Sequence, residues 1–269
     1  MPKQSWIAQI KASRYNKAEA WLVANHYRKG DFNPYIFRTK DFGKTWQRMV
    51  DETKVKGYAL TVMQDPIEPK LVFAGTENGL WISIDEGKNW TQMKNGFPSV
   101  STMDLTIQER ESALIIGTFG RSIWVLDDLL TLRKIAHAGL PKDLTIFPVN
   151  DAVQVKGIFI APPGNIWTGF HTTFEGENRA FGEATIPFYV TAKSDNEVTG
   201  RVFNERNELI QTVQTSKPDS GLNYISWRLD EAVTKRAGGW DDPEAKGILA
   251  LPGKYKIVVE YGEKKIQQS

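Results

Sequence analysis

Apolar and polar residues alternate with a period of two along most of the chain, the spacing of half-buried strands rather than helices. Trp6–Ala12, Ala20–His26 and Pro34–Thr39 are three such runs, and a turn then leads into a fourth at Trp46–Val50. A second round follows the same plan through Tyr58–Met63, Leu71–Gly75, Leu80–Ile84 and Trp90–Met93. Its turn signals stand between the runs, at Asp65-Pro66, Glu77-Asn78-Gly79 and Asp85-Glu86-Gly87. A third round begins with Met103–Gln108, Ala113–Gly117 and Ile123–Leu126 and then departs from the plan. Leu126, Leu129, Leu130 and Leu132 predict a short helical exit, and the fourth strand is either supplied by Leu144–Val149 or absent.

The turn before the fourth strand occurs twice, as Thr39-Lys40-Asp41-Phe42-Gly43-Lys44-Thr45-Trp46 and Ser83-Ile84-Asp85-Glu86-Gly87-Lys88-Asn89-Trp90. From Asp41 to Asp85 is 44 residues, within the repeat of roughly 40–50 residues of a four-stranded propeller blade. Each residue type suits a structural task. The carboxylates of Asp41 and Asp85 can accept several N–H groups and hold the turn closed, helped by the Thr39 and Ser83 hydroxyls. Gly43 and Gly87 supply a backbone conformation that a Cβ resists. Trp46 and Trp90 cover the turn with a large apolar surface. Aspartates engaged in this way make poor catalysts, so the structural reading is the stronger one.

Beyond residue 145 the alternating runs Ala184–Ala192, Glu197–Asn204, Leu209–Thr215, Asn223–Leu229 and Gly253–Tyr261 suit an immunoglobulin- or fibronectin-like sandwich. The expected organisation is therefore all-β. Residues 1–132 form a partial propeller of two to three blades, 133–144 a linker, and 145–269 the sandwich. Under three blades cannot close a ring, which predicts self-association through the first blade or dependence on upstream blades.

Composition narrows the function classes. The 34 basic and 32 acidic residues of the 269 leave a net charge of +2, and the interspersed charges make no basic stripe for nucleic acid. The absence of cysteine excludes disulfides, thiolate metal sites and cysteine nucleophiles. No apolar run reaches the roughly 18–20 residues a membrane helix needs. No apolar segment follows Lys3 as a signal peptide would require, so the signal of an exported protein is expected further upstream.

The repeated turns resemble Asp-boxes, the bacterial neuraminidase repeat (BNR) of sialidases, xyloglucan-type glucanases and sortilin-like propellers. Asp31-Phe32-Asn33-Pro34-Tyr35-Ile36-Phe37-Arg38-Thr39 is similar to the lead-in found in large bacterial sortilin-like BNR-repeat proteins. Gly117-Thr118-Phe119-Gly120-Arg121-Ser122-Ile123-Trp124-Val125-Leu126-Asp127-Asp128 resembles that group's closing blade, where His often stands at the position of Phe119. Gly221-Leu222-Asn223 with Trp227, and Leu251-Pro252-Gly253-Lys254-Tyr255, resemble the small sandwich that ends such proteins. A similar sandwich occurs in flagellar hook-cap proteins. The likeness covers nearly the whole chain but only the C-terminal part of proteins several times longer, whose glycosyl hydrolase-like label follows from the repeat. It implies a secreted, periplasmic or cell-surface bacterial protein without a cofactor.

Strand parity sorts the loops. The motif turns share a face with the loops between first and second strands. Loops joining second to third strands, and those joining blades, share the other. That opposite face, the ligand face in propellers of this kind, holds Tyr27–Asn33, Thr76–Gly79 and Thr118–Ser122, with the connections Asp51–Lys56 and Phe97–Thr102. Arg121, between Gly120 and Ser122, could clamp a carboxylate or instead pair with Asp127 or Asp128. Within the cluster His26, Arg28 and Asp31, His26 and Asp31 could perform acid–base work or bind metal, or His26 could be a hydrogen-bonded surface group. Glu77 and Asp104 are available carboxylates. His137 and His171 have no metal-ligand spacing to each other or to His26, and no metal site is expected. In the sandwich Trp227 is read as core, and Trp240, in the polar loop between Thr234 and Lys246, as a ligand candidate.

No catalytic set can be assembled. A sialidase needs an arginine triad, a Tyr–Glu pair and an acid aspartate, and a glucanase needs two carboxylates across a groove. The leading expectation is a propeller that binds extracellular glycan or peptide, with the sandwich as an accessory or docking module. Glycoside hydrolysis completed by upstream blades, and a structural scaffold, are the alternatives.

Overall fold

The computed structural model describes residues 2–94, 96–127, 129–149, 151–152, 154, 183–193, 195–215, 217–232 and 248–268. The chain divides into two compact units, the first ending at Leu140 and the second beginning at Pro141.

In the first unit three antiparallel sheets each follow an up-and-down path. The first contains β1 (Trp6–Ala12), β2 (Ala20–His26), β3 (Asp31–Thr39) and β4 (Gln47–Arg48), hydrogen-bonded in that order. The second repeats it with β5 (Ala59–Gln64), β6 (Val72–Thr76), β7 (Gly79–Ser83) and β8 (Thr91–Gln92). The third has three strands, β9 (Thr102–Gln108), β10 (Ala113–Thr118) and β11 (Ile123–Leu126). The β4 and β8 pairings are shorter than the period predicts. The chain stays beside its neighbour through single bonds from Met49 N–H to Ile36 and from Met93 N–H to Leu80.

The sheets are stacked by their apolar faces, the arrangement of propeller blades. Trp21, Val23 and Ile36 of the first sheet meet Ala59, Val62, Val72, Ala74 and Trp81 of the second. Leu71, Phe73 and Leu80 of the second meet Leu105, Leu114 and Ile116 of the third. First strands also touch along the stack: Gln9 donates to Thr61 Oγ1 and accepts from Val62 N–H, and the Lys11 ammonium donates to the Leu105 carbonyl. Gly75 in β6 lies tightly against Thr61 of β5 and Thr102 of β9. A Cβ there would stand 2.5 Å from the Thr102 carbonyl oxygen and 2.6 Å from Thr61 Cγ2. Gly75→Ala is expected to cost about 1–3 kcal/mol as overpacking; an unchanged urea midpoint would refute this packing.

After β11 the chain enters α1 (Leu129–Ala138). The helix continues past Leu132, so the residues expected to start a linker at 133 are partly helical. Burial explains the extension: Leu129, Ile135 and Ala136 are apolar and buried, and Arg133 is drawn in to Asp65. No fourth strand closes the third sheet among the described residues. Within Leu144–Val149, β12 (Thr145–Ile146) pairs instead with β13 (Ala184–Val190), because Ile146 belongs to the core of the second unit.

That second unit is a two-sheet β-sandwich. One sheet runs β12, β13, β16 (Gly221–Trp227). The other runs β15 (Leu209–Thr215), β14 (Val198–Phe203), β17 (Lys256–Tyr261), β18 (Lys264–Gln268). Strand alternation fills the core: Val198 and Val202 of β14 and Ile257 and Val259 of β17 meet Ile186, Phe188, Val190 and Ile225. Trp227 is buried, as its position in the alternation predicts, and donates its Nε1–H to the Asp230 carbonyl. The hairpin into β18 is tight. Only Gly262 and Glu263 turn, and Lys264 and Lys265 begin β18, paired with Tyr261 and Glu260. Among the described residues no helix is long and apolar enough to cross a membrane.

Candidate functional site

The two repeated turns close in the same way. Thr39 Oγ1 donates to Asp41 at 2.8 Å and accepts the Gly43 N–H at 2.9 Å. Ser83 Oγ does the same with Asp85 and the Gly87 N–H, both at 2.8 Å. Asp41 further accepts the Thr45 amide and hydroxyl, and Asp85 the amides of Lys88 and Asn89 and the Asn89 side chain. Gly43 and Gly87 have φ of +81° and +82°, and the residues before them, Phe42 and Glu86, are also left-handed. Trp46 and Trp90 fold back to donate Nε1–H to the Gly43 and Gly87 carbonyls.

Both aspartates ionise below their ordinary value of 3.8. At Asp85 burial pushes upward, but hydrogen bonds from Asn89, Ser83 and Lys88 outweigh it; at Asp41 the Thr45 hydroxyl is the main cause. A depressed folded value stabilises the fold in full above the unfolded value, and this is lost as pH falls through the folded one. Asp85→Asn is therefore expected to lower Tm most near neutrality, with the gap to wild type narrowing below about pH 4. Parallel Tm curves would show that the turn carries no such linkage.

Opposite these turns, the loops at the other end of the strands form one continuous rim. A single 3-10 turn, Tyr27–Lys29, follows β2 and ends at Gly30, φ +77°. The Tyr27 ring stacks on Tyr58 at 4.6 Å, and Phe32 leans on the same Tyr58 ring at 6.1 Å. The Tyr58 carbonyl accepts the Glu77 N–H, and the Glu77 carbonyl accepts the Ser101 hydroxyl. The Ser101 carbonyl in turn accepts the Phe119 N–H. Loops of all three sheets are thus joined from Tyr27 to Phe119.

On this rim His26 Nδ1 lies 3.7 Å from Asp31 Oδ2. Asp31 also accepts the amide and side chain of Asn33 and the Tyr35 hydroxyl. Burial pushes its carboxyl upward, but these bonds and His26 carry the net shift below 3.8. Arg28 sits 5.8 Å from the ring centres of both Trp6 and Tyr27. Glu77 is half-buried, and its side chain lies where a Cβ on Gly57 would stand. Arg121 is exposed, in a turn fixed by the Thr118 hydroxyl on the Ser122 carbonyl and by Trp124 Nε1–H on the Arg121 carbonyl. Asp104 is exposed on β9, and His137, on the motif-turn side, approaches Glu68 at 3.2 Å. Trp240, with its loop, and also His171 and Asp128, fall outside the described residues. No group of three or more His, Asp and Glu is placed to hold a metal among the described residues.

The structure therefore brings His26, Arg28 and Asp31 together in one loop and joins that loop's rim to those of Glu77 and Arg121. Sequence reasoning missed the aromatic members Trp6, Tyr27, Phe32 and Tyr58. Phe32, between the polar Asp31 and Asn33 at the start of β3, carries a signal, since an exposed ring there serves no strand core. Phe32 is 54% exposed and Trp6 64%.

No family model matches the chain. It is similar to the vacuolar protein sorting/targeting protein 10 of Leptosphaeria maculans, 24% identical over 113 residues, covering 38% of this chain and 7% of that protein. The same-named protein of Aspergillus clavatus is 28% identical over 112 residues, covering 37% and 8%. The chain thus spans under a tenth of the length of these curated relatives. Among solved structures, the crystal structure of an ancestral GH74 enzyme aligns with TM-score 0.33 and 12% identity, over 95% of this chain and 32% of that one. The architecture itself rests on the hydrogen-bonded sheets described above.

Proposed function

We propose that the chain is part of an exported protein of the bacterial Asp-box propeller kind, whose loop rim binds an extracellular glycan or peptide. The sandwich is its accessory or docking module. One observation carries this reading: an aromatic cluster spanning two blades, in which Phe32 and Trp6 are exposed beside the half-buried, stacked rings of Tyr27 and Tyr58. Apolar rings at a water-facing loop surface have no folding task and suit a partner that covers them. The partial likeness to sorting/targeting proteins is consistent with a binding role. Binding is favoured over hydrolysis because Asp31, beside Phe32, is already engaged by Asn33 and Tyr35.

The test is a panel of soluble polysaccharides and peptides in affinity electrophoresis. A bound ligand is expected, with Tyr58→Ala and Phe32→Ala each weakening it roughly tenfold, the scale of an aromatic hot spot. Absence of binding across the panel, or binding indifferent to both variants, would sink the proposal.

A further inference from the structure

The rim holds a cation where its aromatic rings meet, and this narrows the ligand. The Arg28 guanidinium is 5.8 Å from the Trp6 ring centre and 5.8 Å from that of Tyr27. Both distances lie within the roughly 6 Å reach of cation–π attraction. Its Nε–H points to the Tyr27 hydroxyl at 3.4 Å. Tyr27 stacks on Tyr58 with an interplanar angle of 19°, and Phe32 extends the surface. The sequence Trp6, Arg28, Tyr27, Tyr58, Phe32 is thus one run of π surfaces with a fixed positive charge inside it. Arg14, Arg38, Arg48, Arg110, Arg133, Arg201 and Arg228 each have a carboxylate within ion-pair distance. Among the described residues no carboxylate pairs with Arg28 in this way, and its terminal nitrogens make no hydrogen bond there.

We infer that this run is a site for an acidic saccharide, a hexuronate unit of a polysaccharide, an inference that rests on the binding function proposed above. The C–H face of a pyranose ring packs on an exposed aromatic ring, here Trp6 beside Arg28, and a carboxylate on the sugar matches the guanidinium fork in a bidentate pair. Lys29, Lys54 and Lys56 are exposed on the two loops that carry Tyr27 and Tyr58, but Asp31, Asp51, Glu52 and Glu77 stand on the same rim, so the preference for an acidic ligand rests on Arg28 alone. A peptide fits less well. An apolar side chain seeks a concave pocket, and the cavity of about 310 Å³ lined by Lys11, Tyr15, Gln64 and Asp65 lies at the motif-turn end of the strands.

The whole chain is tested by affinity electrophoresis in gels containing polygalacturonate, its methyl-esterified form, or a neutral galactan, and by titration with carboxylate-ending peptides. Polygalacturonate is expected to retard the protein, and esterification to abolish the effect. Arg28→Ala should weaken binding about tenfold or more, as loss of one charge-assisted pair. Arg28→Lys, a point charge without the fork, should restore only part. Arg28 is exposed, and an unchanged melting curve for both variants verifies the fold. Equal retention of esterified polymer, or binding indifferent to Arg28→Ala, overturns the acidic-saccharide inference. Selective binding of the peptides overturns it as well. If only neutral galactan binds, and Tyr58→Ala weakens it, this inference fails while the binding function stands; if Tyr58→Ala changes nothing, the rim itself is refuted.

Discussion

Arg133→Ala is expected to destabilise the first unit by about 3–5 kcal/mol, the scale of a buried ion pair broken on one side. The Asp65 side chain is fully buried and that of Arg133 is 6% exposed. Arg133 Nε donates to both Asp65 oxygens at 3.0 Å, one terminal nitrogen adds a bond at 2.9 Å, and the other reaches Ser112 Oγ. Asp65 also accepts the Ile67 and Glu68 amides, so the carboxylate both shapes the loop after β5 and anchors α1. Without the guanidinium its buried charge is left with only neutral donors. An uncharged pair of similar volume avoids that penalty, so Asp65→Asn combined with Arg133→Met should cost less than Arg133→Ala alone. Urea denaturation followed by tryptophan fluorescence measures both, and a double variant less stable than the single one would refute the account.

This pair also shows where the sequence stops being readable. The leucines at 126, 129, 130 and 132 marked a helix, but Arg133-Lys134 looked like a solvated linker. Nothing local reveals a partner 68 residues away. Strands were legible wherever one face is buried, since period-two alternation is then imposed by the core. β18 was not: Lys264, Lys265, Gln267 and Gln268 leave Ile266 as its only apolar member, and backbone bonding to β17 makes it a strand. The site divides the same way. Which loops share an end follows from strand parity, so the face carrying His26, Arg28, Asp31, Glu77 and Arg121 could be named in advance. The aromatic run could not, because Tyr27 and Phe32, although in a segment placed on that face, meet Tyr58 only when the first two sheets stack, and Trp6 comes from a separate strand.

Trp21→Ala tests that stacking and is expected to cost about 3–5 kcal/mol, the range for deleting a buried tryptophan. The ring is fully enclosed between β2 and the second sheet, among Val23, Ile36, Ala59 and Val62. On one side the Arg38 guanidinium stands 5.0 Å from its centre, held between Glu19 and Glu86. On another the ring reaches the second motif turn, where a Cβ on Gly87 would be 3.3 Å away. Its loss therefore opens a cavity and removes the floor of that turn together. Trp46→Ala is the control, since Trp46, the counterpart of Trp90 in the first motif turn, is 37% exposed and makes only ordinary contact with Gly43. Its expected cost is about 1 kcal/mol, and equal losses for the two variants would refute the seam as the source of stability. The same substitution should reach the rim. β2 runs directly into Tyr27, and Tyr58 runs directly into β5, so the rings stack only while these strands hold their spacing. Trp21→Ala should then weaken ligand binding even at temperatures where the fold persists, whereas Trp46→Ala should leave it unchanged.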